Sequence, residues 1–210
     1  GNQITSSTTS SSDSTEDYSY EKTTTYPDGQ DDKSVTRTGS SSSDRTSNAI
    51  TGAYSGTSSS SSVTDIDESG NRNHDYALNA RIETESESTD SGNSVIANYS
   101  SIHSSTTTRT QTRDVEGAPT GDFSLTETST VTSSGDKAGN SIRGNYSNNS
   151  TTNESTTSDQ ESSSTDGLTT MNVRSVMDVD TDTEGSGNDI TGGYVEATES
   201  SYTETLTQTG

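Results

Sequence analysis

The chain has 210 residues, of which only 20% are hydrophobic, and Leu, Ile, Val and Phe together make up roughly a tenth, too few for an ordinary globular core. Its 33 acidic residues against 11 basic ones give a net charge of -22, which disfavours nucleic acid and anionic membrane surfaces as partners. The chain has no Cys, so disulfides and thiolate zinc sites are excluded, and no apolar run approaches the ~20 residues of a membrane span.

In chain order, the first recognisable phrase is Gly1-Asn2-Gln3-Ile4, a degenerate copy of one that recurs as Ser47-Asn48-Ala49-Ile50-Thr51-Gly52-Ala53-Tyr54. Further copies run from Gly92-Asn93 to Tyr99, from Gly139-Asn140 to Tyr146 and from Gly187-Asn188 to Tyr194. Anchored on Asn2, Asn48, Asn93, Asn140 and Asn188, the spacings are 46, 45, 47 and 48 residues, a period typical of tandem arrays. The expected organisation is a degenerate first repeat over 1–47, repeats over 48–92, 93–139 and 140–187, and a partial repeat over 188–210. These form one continuous array with no separate globular domain.

A second phrase falls midway: Gly70 precedes Asp75-Tyr76-Ala77-Leu78, and Gly117 precedes Asp122-Phe123-Ser124-Leu125. With Met171 in the equivalent place of the next unit, Tyr54, Tyr76, Tyr99, Phe123, Tyr146, Met171 and Tyr194 mark half-repeats of roughly 23 residues, about nine in all. The first unit keeps only Asp31 and Lys33 of this second phrase.

Within the half-repeats the hydrophobic period is two, the signature of a half-buried strand. Tyr76, Leu78, Ala80 and Ile82 alternate with Asn79, Arg81 and Glu83. Phe123, Leu125 and Val131 alternate with Thr126, Thr128 and Thr130, and Met171, Val173, Met177 and Val179 with Asn172, Arg174, Asp178 and Asp180. Thr and Tyr favour strands, and the Gly-Asn pairs at 92-93, 139-140 and 187-188 are expected at tight turns. No helical stripe is present. The predicted fold is all-β: a long antiparallel meander or rod, with a parallel β-solenoid stacking Tyr rungs as the alternative.

The Gly-Asn-x-Ile-x-Gly-x-Tyr and Phe-Ser-Leu-Thr-Glu-Thr phrases resemble the repeats of giant Ser/Thr-rich surface and fibre proteins of environmental, planctomycete-like bacteria. Thr25-Tyr26-Pro27-Asp28-Gly29 is more weakly similar to the Tyr-Asp hairpin repeats of bacterial Rhs proteins. The first resemblance covers the chain from about Asn48 onward, while residues 5–47 depart from it. It implies an extracellular or cell-surface β-repeat array without an enzyme of its own.

Candidate sites are few. His74 and His103 are the available imidazoles, and neither lies in a nucleophile motif, so no catalytic residues are assigned. Asp65, Asp67, Asp178, Asp180 and Asp182 have the alternation of calcium ligands. The loop opened by Asp65 has Tyr76 where the twelfth ligand belongs, and the alternative reading is a solvated acidic face. Asn98, Asn145, Asn148, Asn149 and Asn153 head glycosylation acceptor triplets, and the Ser/Thr runs are open to O-linked sugar.

The regularly spaced aromatics Tyr54, Tyr76, Tyr99, Phe123, Tyr146 and Tyr194 are expected to be structural rungs rather than a sugar-stacking surface. No resident cofactor is expected, with calcium at the Asp positions as the alternative, and covalent glycans are expected on the chain. The expected partners are further copies or a longer array of the same repeat and glycans, without nucleic acid or membrane insertion. With no signal peptide at Gly1 and a repeat boundary at each end, at Gly1-Asn2 and at Gly210, the chain reads as a window on a longer array. The functional expectation is a glycosylated extracellular fibril component, with a calcium- or carbohydrate-binding adhesin stalk as the alternative.

Overall fold

The computed structural model describes residues 6–71, 75–116, 122–163 and 170–209. They form nine strands: β1 Ser7–Tyr26, β2 Gly29–Asn48, β3 Ala53–Gly70, β4 Asp75–Asn93, β5 Asn98–Glu116, β6 Phe123–Asn140, β7 Asn145–Ser163, β8 Thr170–Asn188 and β9 Gly193–Thr209. Asn2, His74, Gly117 and Gly210, singled out in the sequence, lie outside the described residues.

Each strand pairs only with its sequence neighbours, giving one open sheet in the order β1 to β9. All eight pairings are antiparallel, which establishes the meander and overturns the solenoid alternative. The physical reason is connection length. Four residues separate β2 from β3, and β4 from β5, whereas a parallel neighbour needs a crossover of a dozen or more. The opening unit, least repeat-like in sequence, is no exception: β1 and β2 pair from Ser7↔Asn48 to Tyr26↔Gly29.

Every pairing keeps one register from end to end, so the period-two sequence is sorted onto two faces without a slip. Of the 26 Val, Ile, Leu, Met, Phe and Tyr residues in strands, 22 share one face, here the apolar face. Tyr20, Val35, Ile66, Ala80 and Leu206 stand in a single cross-strand row of it. The other face, here the acidic face, holds 21 Asp and Glu against only Arg81 and Arg174, a net of -19. The apolar face holds eight acidic and seven basic residues and is nearly neutral.

A single layer shelters little. Among the described residues the buried hydrophobic side chains are Ala80 and Val115, 8% and 9% exposed, both on the apolar face beside Tyr76 and Leu78. The accessible surface is 13637 Å², against roughly 9,300 Å² for a compact chain of this mass. Stability in the single sheet therefore rests on the backbone ladder and on cross-strand side-chain pairs, each contributing about 0.2–1 kcal/mol.

Candidate functional site

One end of the sheet is built from four nearly identical turns. In the first, the Asn48 carboxamide oxygen accepts from the backbone N–H of Ile50 and of Thr51, both at 3.0 Å, and Gly52 N–H donates to the Asn48 carbonyl at 2.8 Å. Asn140 repeats this with Ile142 and Arg143 at 3.0 and 2.8 Å, and Asn188 with Ile190 and Thr191 at 3.0 Å each. The fourth turn residue is left-handed: φ is +72° at Gly52, +73° at Gly144 and +74° at Gly192. Glycine adopts that conformation without steric cost. The Asn93 turn carries Ala97 there, at φ 59°.

The turns also bond to one another. The amide nitrogen Nδ2 of Asn93 donates to the Thr51 carbonyl, that of Asn140 to the Ile96 carbonyl, and that of Asn188 to the Arg143 carbonyl, each at 2.9 Å. Backbone bonds from Ser94, Ser141 and Asp189 to the carbonyls of Gly52, Ala97 and Gly144 run alongside at 2.8 to 2.9 Å. The result is a continuous hydrogen-bonded rail along the sheet end. Its outer margin carries exposed Ile50, Val95, Ile142 and Ile190 at the same turn position.

The glycines of the Gly-Asn pairs do not make these turns, which corrects the sequence expectation. Gly92, Gly139 and Gly187 lie inside strands, opposite Tyr54 or Tyr99, Tyr99 or Tyr146, and Tyr146 or Tyr194. A row Tyr54, Gly92, Tyr99, Gly139, Tyr146, Gly187, Tyr194 results, crossing β3 to β9 on the apolar face. The rings of Tyr54, Tyr99 and Tyr146 each lie across the glycine of the next strand: a methyl group placed on Gly139 would meet the Tyr99 hydroxyl at 2.5 Å, and one on Gly187 the Tyr146 hydroxyl at 2.7 Å. Glycine is required here because an aromatic side chain occupies the space above it. Arg45 and Lys137, in the adjacent row, stand 5.3 Å from the Tyr54 ring centre and 5.6 Å from that of Tyr146, within cation–π range. Tyr76 and Phe123 stand at the opposite end of the same face.

Between the two apolar ends runs a hydroxyl row: Ser14, Ser41, Ser60, Ser86, Ser105, Ser133, Thr152, Thr181 and Ser200, one from each strand. Neighbours bond directly, as Ser14 to Ser41 and Ser60 to Ser86 at 2.8 Å and Ser105 to Ser133 at 2.9 Å. In the sequence these Ser/Thr runs read only as acceptors of O-linked sugar. The signal that would have found the row is positional: a Ser or Thr recurs near the centre of every half-repeat. His103 stands close by in register with Ser88, and its ring lies across Gly135.

The proposed metal ligands all fall on the acidic face. Asp65 is held by Arg81 at 3.2 Å, Asp67 is exposed, and Asp178 accepts from the Ser155 hydroxyl at 2.6 Å. Asp178, Asp180, Asp182 and Glu184 point the same way along β8 at intervals of about 6.8 Å, flanked on β7 by Ser155, Asn153, Thr151 and Asn149. Among the described residues no three His, Cys, Asp or Glu side chains converge closely enough to hold an ion. The arrangement is a line of carboxylates along one strand. An open trough of about 600 Å³ lies on this face, with Asp13, Glu85 and Glu87 among Ser and Thr residues.

Of the acceptor asparagines, Asn98, Asn145, Asn149 and Asn153 are exposed on the acidic face, whereas Asn148 is half-buried on the apolar face under Gly185. Edge strand β9 carries two short tyrosine–carboxylate contacts. Tyr194 donates to Glu196, and this bond, then loss of water and the negative charge, push its hydroxyl up to about 12. Tyr202 donates to Glu204 at 2.6 Å and is raised for the same first reason. Asp32, accepting from the Thr23 hydroxyl at 2.6 Å and from Gln30 at 2.7 Å, is held below the usual aspartate value. No protein-family model matches the chain, and no curated protein matches it.

Proposed function

We propose that the chain is a structural component of an extracellular or cell-surface fibril, glycosylated on its acidic face and without catalytic activity of its own. The observation that carries this reading is the way the sheet is built. One ~46-residue unit is one hairpin plus its Asn turn, so each added unit widens the sheet by about 9.6 Å and extends the rail of turns by one bond set. Such a structure grows indefinitely without a new core, because almost nothing in it depends on a closed core.

Its working surface is hydroxyl and carboxylate, which keeps an extended sheet hydrated and apart from its neighbours. Four of the five acceptor asparagines are exposed on the acidic face, where attached sugar would also obstruct lateral aggregation. Electron microscopy of native material together with intact mass and glycopeptide mapping tests the reading. The expected result is regular filaments, a mass above 22.0 kDa per chain, and sugar at acidic-face positions but not at Asn148. Dispersed flexible chains at the unmodified mass would refute it.

A further inference from the structure

A one-layer sheet with its apolar residues gathered on one side leaves that side open to water. Tyr18, Tyr20, Met171, Tyr202 and Leu206 of the apolar face are all 37% to 65% exposed. Stable domains cover such a face with a second layer, and contiguous apolar patches beyond a few hundred Å² mark interaction surfaces. We infer that the apolar face is covered by the apolar face of a second copy of this chain, making a two-layer, two-fold symmetric sandwich with both acidic faces outward.

Three observations select this occupant. The first is area. Nine strands at about 4.8 Å spacing and about 18 residues at about 3.4 Å each give a face of roughly 2,500 Å². A standard stable interface needs about 800 Å² per partner, and a face of this area lies well within the excess of roughly 4,300 Å² over a compact chain. The second is the sign of the two faces. A face of net -19 cannot stack on its own copy, while one with eight acidic and seven basic residues can.

The third is how those charges are distributed. On β1 and β2 the apolar face carries Lys22, Lys33, Arg37 and Arg45 against Glu16 and Asp31; on β7 to β9 it carries Glu154, Glu196 and Glu204 and no base. A two-fold axis lying between the layers and parallel to the strands places the basic margin of each copy over the acidic margin of the other. The same axis preserves position along the strands, so the apolar rows meet apolar rows and the tyrosine rows meet each other. Aligned sheets stack in this way at about 10 Å, turned by about 30°. The pairing is isologous and closed, leaves edges β1 and β9 free, and holds whether or not the chain belongs to a fibril.

Sedimentation velocity on the full chain tests the inference, with circular dichroism confirming that each variant keeps its sheet. The parent should sediment at twice 22.0 kDa. The pair Leu125→Glu and Val173→Glu, on the apolar face, should raise the dissociation constant at least 100-fold, while Val176→Glu on the acidic face of the same strand should leave it unchanged.

Should the first pair unfold the sheet, charge reversal decides the matter. Glu196→Lys with Glu204→Lys should weaken pairing at least tenfold, and adding Arg37→Glu and Arg45→Glu, which stand in the same two rows, should restore it. A monomer at every concentration overturns the inference. So does a dimer indifferent to charge reversal, which would point to pairing through the strand edges. Neither result touches the fibril reading, which filament morphology decides.

Discussion

The two ends of the sheet obey different rules. At the Asn end the connections are four residues long every time, 49–52, 94–97, 141–144 and 189–192, and three of the four finish on a left-handed glycine. At the opposite end the connections vary from two residues, Pro27 and Asp28, to four at 71–74 and six at 117–122 and 164–169. Most of the drift in the repeat spacing, from 45 to 48 residues, is taken up there. The comparison teaches where the repeat is held constant: the Asn end fixes its connections at one length with hydrogen bonds from a single Asn per turn, and the opposite end absorbs the variation in length.

The largest expected effect comes from treating the two ends alike. Two glycines inserted between Asn140 and Gly144 break the 2.8 Å bond from Gly144 to the Asn140 carbonyl and the bond from Asp189 to the Gly144 carbonyl. With net values of about 1 kcal/mol per bond, the cost should reach about 2–3 kcal/mol in urea unfolding. The same insertion within 164–169 should cost about 0.3 kcal/mol, the entropy of a slightly longer loop. Equal effects would remove the distinction.

Next comes the side chain itself. Asn140→Ala leaves the Ile142 and Arg143 amides without their acceptor and the Ile96 carbonyl without its donor. A loss of about 1–2 kcal/mol is expected, by analogy with helix caps of the same chemistry, and should appear as a lower urea midpoint with an unchanged slope. A smaller effect of opposite sign belongs to Ala97, the one non-glycine at the left-handed turn position. Ala97→Gly should stabilise by up to about 1 kcal/mol, because relief of backbone strain outweighs the added freedom of the unfolded chain.

The smallest effect is at the β9 edge and is read by pH. Tyr194 has a folded pKa above its ordinary 10.0, at about 12, so the protonated hydroxyl is favoured by the fold. Its contribution is complete below pH 10 and is lost as pH rises toward 12. Ultraviolet titration should show Tyr194 ionising near pH 12, and Glu196→Gln should bring it back toward 10.

Much of this architecture was legible in the sequence. Period-two alternation in Tyr76 to Ile82 and Met171 to Val179 gave strands and their faces, and the spacing of Asn48, Asn93, Asn140 and Asn188 gave one hairpin per unit. The roles within the Gly-Asn pairs were not legible. Either residue suits a turn locally, and only the register shows Gly139 beneath Tyr99 while Asn140 opens the turn. The first hairpin was hidden because Tyr18, Tyr20 and Val35 fill the apolar rows without the flanking phrase that identifies other units. The acidic face was visible as charge but not as a face. Asp65, Arg81 and Asp178 come together on one surface only through pairings between strands, and the same holds for the opposed margins of Lys33 and Glu204.

The two-faced sheet depends on the register that sorts these residues, and the absence of Cys makes that register directly measurable. In Ser60→Cys with Ser86→Cys the two thiols replace hydroxyls 2.8 Å apart on one face, whereas in Ser60→Cys with Glu85→Cys they stand on opposite faces. Rapid disulfide formation in the first variant and none in the second is the predicted result. A bond in the second, or in neither, would mean that these strands do not pair as described and that the two-faced sheet is wrong.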